Sequence, residues 1–252
     1  MQATSYHPDE MQEHWAGRSY DPQKSPPTYL TYENALDTVA LGEPNFPEAP
    51  DLWSVMAQRR AKRNFLPIPL SLNELNVLCW SASGITADMG GYQLRTAPSS
   101  GALYPTETYL VVNRVEGLQP GLYHLNVLDW TLEALRYGDL SDVTCEALLG
   151  QEMSRRAGVN FIWTSVIERC RAKYYERAYR YIWWDVGHMS ENLLLAATAL
   201  KLGACPMGAW YDGLVHELLG IDGTEHMSVL TASVGHVEGR DWRADRRISS
   251  KG

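Results

Sequence analysis

The chain has 252 residues, long enough for one large domain or two small ones, and its 45% apolar content is ordinary for a globular protein. A net charge of −8 argues against a nucleic-acid binder, because neutralising phosphates takes a basic surface. No apolar run approaches the roughly 18 residues that span a membrane, and the start M-Q-A-T-S-Y-H-P-D-E lacks the basic-then-apolar pattern of a signal peptide. A soluble, cytoplasmic protein is therefore expected. Cys79, Cys145, Cys170 and Cys205 lie far apart with no C-x-x-C, which reads as reduced thiols rather than disulfides or a zinc site. Nine Trp and fourteen Tyr against three Phe favour amphipathic rings whose polar tips seek partners.

Residues 1–50 read as an arm, rich in proline and poor in periodicity, that wraps a core or a partner; residues 51–252 read as the main domain. A helix capped by Asp51 follows Pro50 and runs into the cations Arg59, Arg60, Lys62 and Arg63. Ser71-Leu72-Asn73-Glu74 is a capping box opening a helix to about Ser83, where Gly84 stops it. Next comes R-T-A-P-S-S-G-A-L-Y-P, residues 95–105, and behind it an apolar strand ending at Val112. Gly121 to Leu135 is a hairpin, Leu140 to Met153 a helix and Phe161 to Ile167 a buried strand. Another helix begins near Tyr175, and the strongest helical period covers Asp185 to Leu202, apolar nearly all round and ended by Gly203. Ala204 to Tyr211 is a short apolar connection, Leu214 to Leu219 a small helix and Ser228 to Val234 a last strand. Helices and strands mix without βαβ alternation, so the fold class is α+β.

Three segments carry chemistry. The turn at 95–105 crowds hydroxyls and small residues, so it is either a plain turn or a cradle for an anion or the polar edge of a flat heterocycle. In helix geometry Arg59 and Arg63 share a face and could grip one phosphate, the alternative being a solvated cationic helix end. The segment K-Y-Y-E-R-A-Y-R-Y at 173–181 could hold a Lys-Tyr proton relay in which the cation lowers the phenol's pKa, or a structural ion-pair network. His188 has no second ligand at metal spacing, so no metal site is expected. G-x-S-x-G, G-x-G-x-x-G and Walker patterns do not occur.

Taken in order, R-R-A-K-R-N-F at 59–65, P-L-S-L-N-E-L at 69–75, R-T-A-P-S-S-G-A-L-Y-P-T-E at 95–107, G-L-Y-H at 121–124, K-Y-Y-E-R-A-Y-R-Y at 173–181, D-V-G-H at 185–188 and P-M-G-A-W at 206–210 resemble the nitroreductase-like flavoproteins. The branch they resemble is the SagB-type dehydrogenases, and the likeness extends to Tyr6-His7 in the arm. That resemblance implies a central, mostly antiparallel sheet flanked by helices, in an intertwined homodimer with FMN at the interface. It implies that Arg59 and Arg63 hold the phosphate, with Ala61 where many members have Ser, and that one or more of Arg243, Arg246 and Arg247 complete the grip. Pro98, Ser99 and Ser100 would lie against the flavin from across the interface, and the backbone of Gly208 and Ala209 would face flavin N5. In azole-forming members a Lys-Tyr pair assists oxidation of an azoline in a modified peptide, with hydride passing to N5; Lys173 and Tyr174 match it, Tyr174 as base and Lys173 lowering its pKa. An NAD(P)H-dependent nitro- or quinone reductase, and a non-catalytic subunit of a peptide-modifying complex, are the other readings.

Overall fold

The structure, a computed structural model, describes residues 25–238. Seven strands form one sheet: β1 (Asp37–Ala40), β4 (Thr106–Val112), β5 (Gly121–Asn126), β6 (Thr131–Tyr137), β7 (Val159–Val166), β8 (Gly203–Met207) and β9 (His226–Gly235). Their order is β1-β6-β5-β4-β7-β9-β8, and every neighbouring pair is antiparallel. The hairpin β2 (Ile85–Asp88) and β3 (Gln93–Arg95) stands apart.

Central β4 is buried on both faces because its side chains alternate between two apolar layers. Leu110 and Val112 join one core with Phe161 and Trp163, under α2 (Leu72–Ser83) and α6 (Ala178–Ala199). Tyr109 and Val111 join the other, under α3 (Ser141–Ala147), α4 (Glu152–Arg156) and α7 (Asp212–Leu219). The α+β class and the antiparallel sheet flanked by helices are therefore present. The capping box at Ser71 is complete: Glu74 N–H donates to Ser71 Oγ at 3.2 Å and Ser71 N–H to Glu74 Oε2 at 2.7 Å.

Several expectations change. The arm's last turn supplies β1, an edge strand that completes the sheet, so residues 37–40 belong to the domain. Helix α1 (Leu52–Gln58) stops before the cations, since the backbone beyond it finds partners at the sheet edge: Lys62 N–H donates to Ala204 O and Leu66 N–H to His236 O. The predicted helix over 140–153 breaks into α3 and α4 at Leu149 and Gly150, both at positive φ. The connection after Gly203 is an edge strand, β8. A helix does begin near Tyr175, where a 3-10 turn (Tyr175–Arg177) leads into α6, but a further helix, α5 (Ile167–Tyr174), precedes it. The helix over 185–202 is not buried all round, because Gly187, His188 and Glu191 are exposed.

Across the sheet, Tyr109, His124 and Glu133 stand in one row of cross-strand pairs. His124 Nδ1 bonds Glu133 at 2.8 Å and Nε2 bonds Glu107 at 3.1 Å. Burial works against the imidazolium, but the bonds to Glu107 and Glu133 outweigh it and raise its pKa. Nearby, burial pushes His226 down to about 4, against the pull of the Glu107 charge.

His226 sets an acid limit on stability. The unfolded chain takes its proton near pH 6.5 and the folded chain near 4, so stability falls as pH drops through that window, by on the order of 3 kcal/mol. His124 acts above this window, since its raised pKa gives stability that is lost on alkalinisation. His226→Gln, which can still reach Thr164, should flatten the decline in urea-unfolding free energy between pH 6.5 and 4.5; an unchanged slope would assign it to other groups.

Candidate active site

The turn at 95–105 is held at its ends and at its centre. Arg95 N–H donates to the Tyr104 hydroxyl at 3.1 Å, and the Arg95 guanidinium lies 4.4 Å from the Tyr104 ring centroid. In the middle, Ser99 Oγ donates to Asp185 Oδ2 at 2.6 Å, while Ser100 donates to Oδ1 through its N–H at 3.1 Å and its hydroxyl at 3.2 Å. Asp185 is 3% exposed on α6, and burial raises its pKa although the serine bonds pull the other way. The turn does bind a carboxylate, then, but one from its own chain. Pro98 stays exposed at the rim.

The same turn meets the Lys-Tyr pair. Gly101 has φ +68°, and a Cβ built there would lie 2.5 Å from the Tyr174 hydroxyl and 2.9 Å from Lys173 Nζ. Lys173 Nζ is 5.5 Å from the Tyr174 ring centroid. Two segments some seventy residues apart in the chain thus converge on one glycine, the residue that tolerates both the left-handed backbone and the close approach. Tyr175, directly after the pair, is held at φ +51°, ψ −132°, a strained conformation for a tyrosine and of the kind that gathers at functional sites. From Tyr174 an aromatic strip continues to Tyr181, 4.5 Å between ring centroids, and on to Trp184 at 5.5 Å.

The expected lowering of the Tyr174 pKa is not what the environment does. Burial raises it, and the charges of Cys170, Tyr181 and Asp185 add to the rise. Tyr174 is a protonated phenol at neutral pH.

The cationic segment lies further along α6. Arg59 Nε is 3.5 Å from Glu191 Oε1, and Glu191 is six residues, roughly 9 Å of helix, beyond Asp185. The helical face once expected for Arg59 and Arg63 does not exist, since α1 ends at Gln58. The chain leaves the helix instead and touches the edge of the sheet at Ala61. Ala61 bridges Ala204 in parallel, so Arg63 runs alongside the end of β8, near enough to Cys205 for its charge to act on that thiol. Just past β8 come Gly208 and Ala209, both exposed. Gln151 donates to Ala209 O at 3.0 Å and Tyr211 N–H to Ala147 O at 2.8 Å, which fixes this short loop. A Cβ on Gly208 would meet nothing within 4 Å, so the space over the loop is open to a ligand. Arg243, Arg246, Arg247 and Tyr6-His7 lie outside the described residues.

The structure therefore brings Lys173, Tyr174, Ser99 and Ser100 together around Gly101 and Asp185, sets Arg59 against Glu191 on α6, and runs Ala61 and Arg63 along β8, the strand that leads into Gly208 and Ala209. Asp185 was not expected as a site residue. Its signal was an acid sharing a helical stripe with apolar Ile182, Val186 and Met189, a burial that demands hydrogen-bond donors. The supports of the 208–209 loop, Gln151 and the Trp210–Ser228 bond of 2.9 Å, had no sequence signal.

The chain belongs to the nitroreductase family, whose model matches residues 56–236, and so to a family of oxidoreductases. Protein MJ1384 of Methanocaldococcus jannaschii is 32% identical over 185 residues, 73% of this chain and 91% of that one. The trifolitoxin-processing protein TfxB of Rhizobium leguminosarum bv. trifolii is 33% identical over 62% of this chain, and the microcin B17-processing protein McbC of Escherichia coli is 28% identical over 51%. The matches span only 45% and 49% of those two proteins. Among solved structures, a nitroreductase-type protein from Anabaena variabilis superposes with a TM-score of 0.69 at 27% identity, over 81% of this chain and 42% of that one. The Escherichia coli microcin synthetase McbBCD complex with truncated pro-MccB17 gives 0.62 at 22% identity, over 93% of this chain and 84% of that one. A Desulfovibrio desulfuricans protein in complex with FMN gives 0.52 at 19%, over 82% of this chain and 99% of that one.

Proposed function

We propose that this chain is an FMN-dependent dehydrogenase of the SagB type, working as a homodimer and oxidising an azoline or similar group in a modified peptide. The observation that carries the reading is the convergence of Lys173 and Tyr174 on Gly101 beside Ser99, Ser100 and Asp185. The peptide-processing names of TfxB and McbC, and the FMN held by the Desulfovibrio protein, support it.

The residues suit the cofactor. Arg59 and Arg63, on the segment that bridges β8, would hold the phosphate dianion, Arg59 being paired with half-exposed Glu191. Exposed Gly208 and Ala209 on their braced loop would present backbone donors to the flavin ring. Ala61 offers no hydroxyl, so its contact there is through backbone. When bound, FMN supplies a two-electron acceptor for hydride. The protein's part is to orient the substrate carbon and to move its proton: Lys173 Nζ and Tyr174 Oη share one face over Gly101, and the strip of Tyr181 and Trp184 offers flat surface to a heteroaromatic ring.

The purified protein should be yellow and should release FMN on heating; a colourless protein without extractable flavin ends the proposal. A second reading, an NAD(P)H-dependent nitro- or quinone reductase, is favoured by the MJ1384 match, which covers 91% of that protein. Stopped-flow bleaching of the flavin by NAD(P)H, set against bleaching by an azoline peptide, separates the two.

Gly101→Ala tests the convergence itself. The methyl would drive into Tyr174 Oη and Lys173 Nζ on a left-handed backbone, costing about 1–2 kcal/mol. Turnover should fall at least tenfold while the melting temperature drops by only a few degrees. Full activity in that variant would place the chemistry elsewhere.

A further inference from the structure

Behind the turn lies a small cavity that the chemistry above does not use. It measures about 10 Å³, opens partly towards the rim at Pro98, and is lined by α2, the turn, the start of β4 and α6. Ser83, Arg95 and Thr106 all line it, and all are at least nine-tenths buried. Ser83 Oγ, Arg95 Nε and Thr106 Oγ1 have no hydrogen-bond partner among the described residues. Buried polar atoms are nearly always satisfied, so three orphans around one space form a coherent demand.

We propose that this cavity is a binding site for a single water molecule, which ties the back of the 95–105 turn to helix α2 and strand β4. The volume matches one solvent molecule, and three polar partners is the usual number for a buried water. Charge selects the ligand class. Arg95 and Asp185 both line the cavity, so a cation gains nothing beside the guanidinium and an anion nothing beside the carboxylate. A neutral molecule that both donates and accepts is what remains: it accepts from Arg95 Nε–H and exchanges bonds with the two hydroxyls. Ala82 and Met189 add apolar surface, and the three unpaired atoms fix the water's place.

The consequence is mechanical. Arg95 already clamps Tyr104 through its N–H and its guanidinium face. The water extends that clamp into the sheet and α2, so the turn is held by the water as well as by Asp185. This inference stands whether or not the turn meets a flavin.

A crystal structure of the full chain at a resolution that shows ordered solvent tests it, with a bromide-soaked crystal and Thr106→Val alongside. The expected result is one peak within hydrogen-bond distance of Ser83 Oγ, Arg95 Nε and Thr106 Oγ1, without anomalous signal after bromide, and absent in Thr106→Val. An empty cavity, or one closed because the three atoms pair with protein groups, overturns the proposal. A bromide peak overturns it in favour of an anion site. The wild-type crystals decide the matter even if Thr106→Val fails to fold.

Discussion

Replacing Arg169 by Met should cost about 3–5 kcal/mol, a large part of the roughly 5–15 kcal/mol that holds a domain of this kind together. Arg169 is 3% exposed on α5, pairs with Glu107 through Nη1, and donates through Nε to Pro27 O. It therefore ties helix, central strand and arm at one point. Arg169 and His124 both pair with Glu107, His124 also meets Glu133, and the charge of buried Arg95 acts on the same Glu107. Removing Arg169 strips the buried Glu107 carboxylate of its ion pair, one of the partners that hold its pKa down against burial. Glu107→Gln should cost a similar amount, because the remaining cations then exceed the remaining carboxylate. The double variant should lose less than the sum of the two, since its charges leave together. Urea unfolding of all four proteins measures this; strictly additive losses would show that the pair acts independently. Because Arg169 lies one helical turn before Lys173, its loss should also loosen the Lys-Tyr pair over Gly101.

Much of this architecture can be read from local chemistry. Ser71 and Glu74 announce their helix because a capping box is satisfied within four residues. The 121–135 hairpin and the buried β4 are legible for the same reason, as their patterns need only neighbours in sequence. What sequence could not show depends on partners far along the chain. The cations at 59–63 have every local reason to continue a helix, and leave it because Ala204 offers a backbone partner. Residues 37–40 become a strand only because β6 presents an open edge. At the site, Ser99 and Ser100 were recognisable as a cradle, but their occupant Asp185 lies 85 residues on. The environment of Tyr174 was misjudged in sign: the neighbouring lysine is visible in sequence, whereas burial beside Cys170, Tyr181 and Asp185 is a property of the folded chain.

That sign gives the Lys-Tyr hypothesis its sharpest test. A phenol whose pKa lies above 10 is ionised to less than about one part in a thousand at pH 7. If Tyr174 removes the substrate proton, the rate should rise tenfold per pH unit through the neutral range, with no plateau until the protein itself fails. Tyr174→Phe should then lower turnover by about 10²- to 10⁴-fold and erase that slope. Lys173→Ala should give a loss of the same order, because Nζ stands against the same Gly101 position as the Tyr174 hydroxyl and is the cation next to the forming phenolate. Both side chains are only partly buried, so each variant should stay folded with its bound-flavin spectrum intact. Loss of flavin from either would give the pair a structural role instead. A flat pH profile in the wild type would remove Tyr174 as the base while leaving it as a hydrogen-bond donor, a role its protonated state at neutral pH already suits.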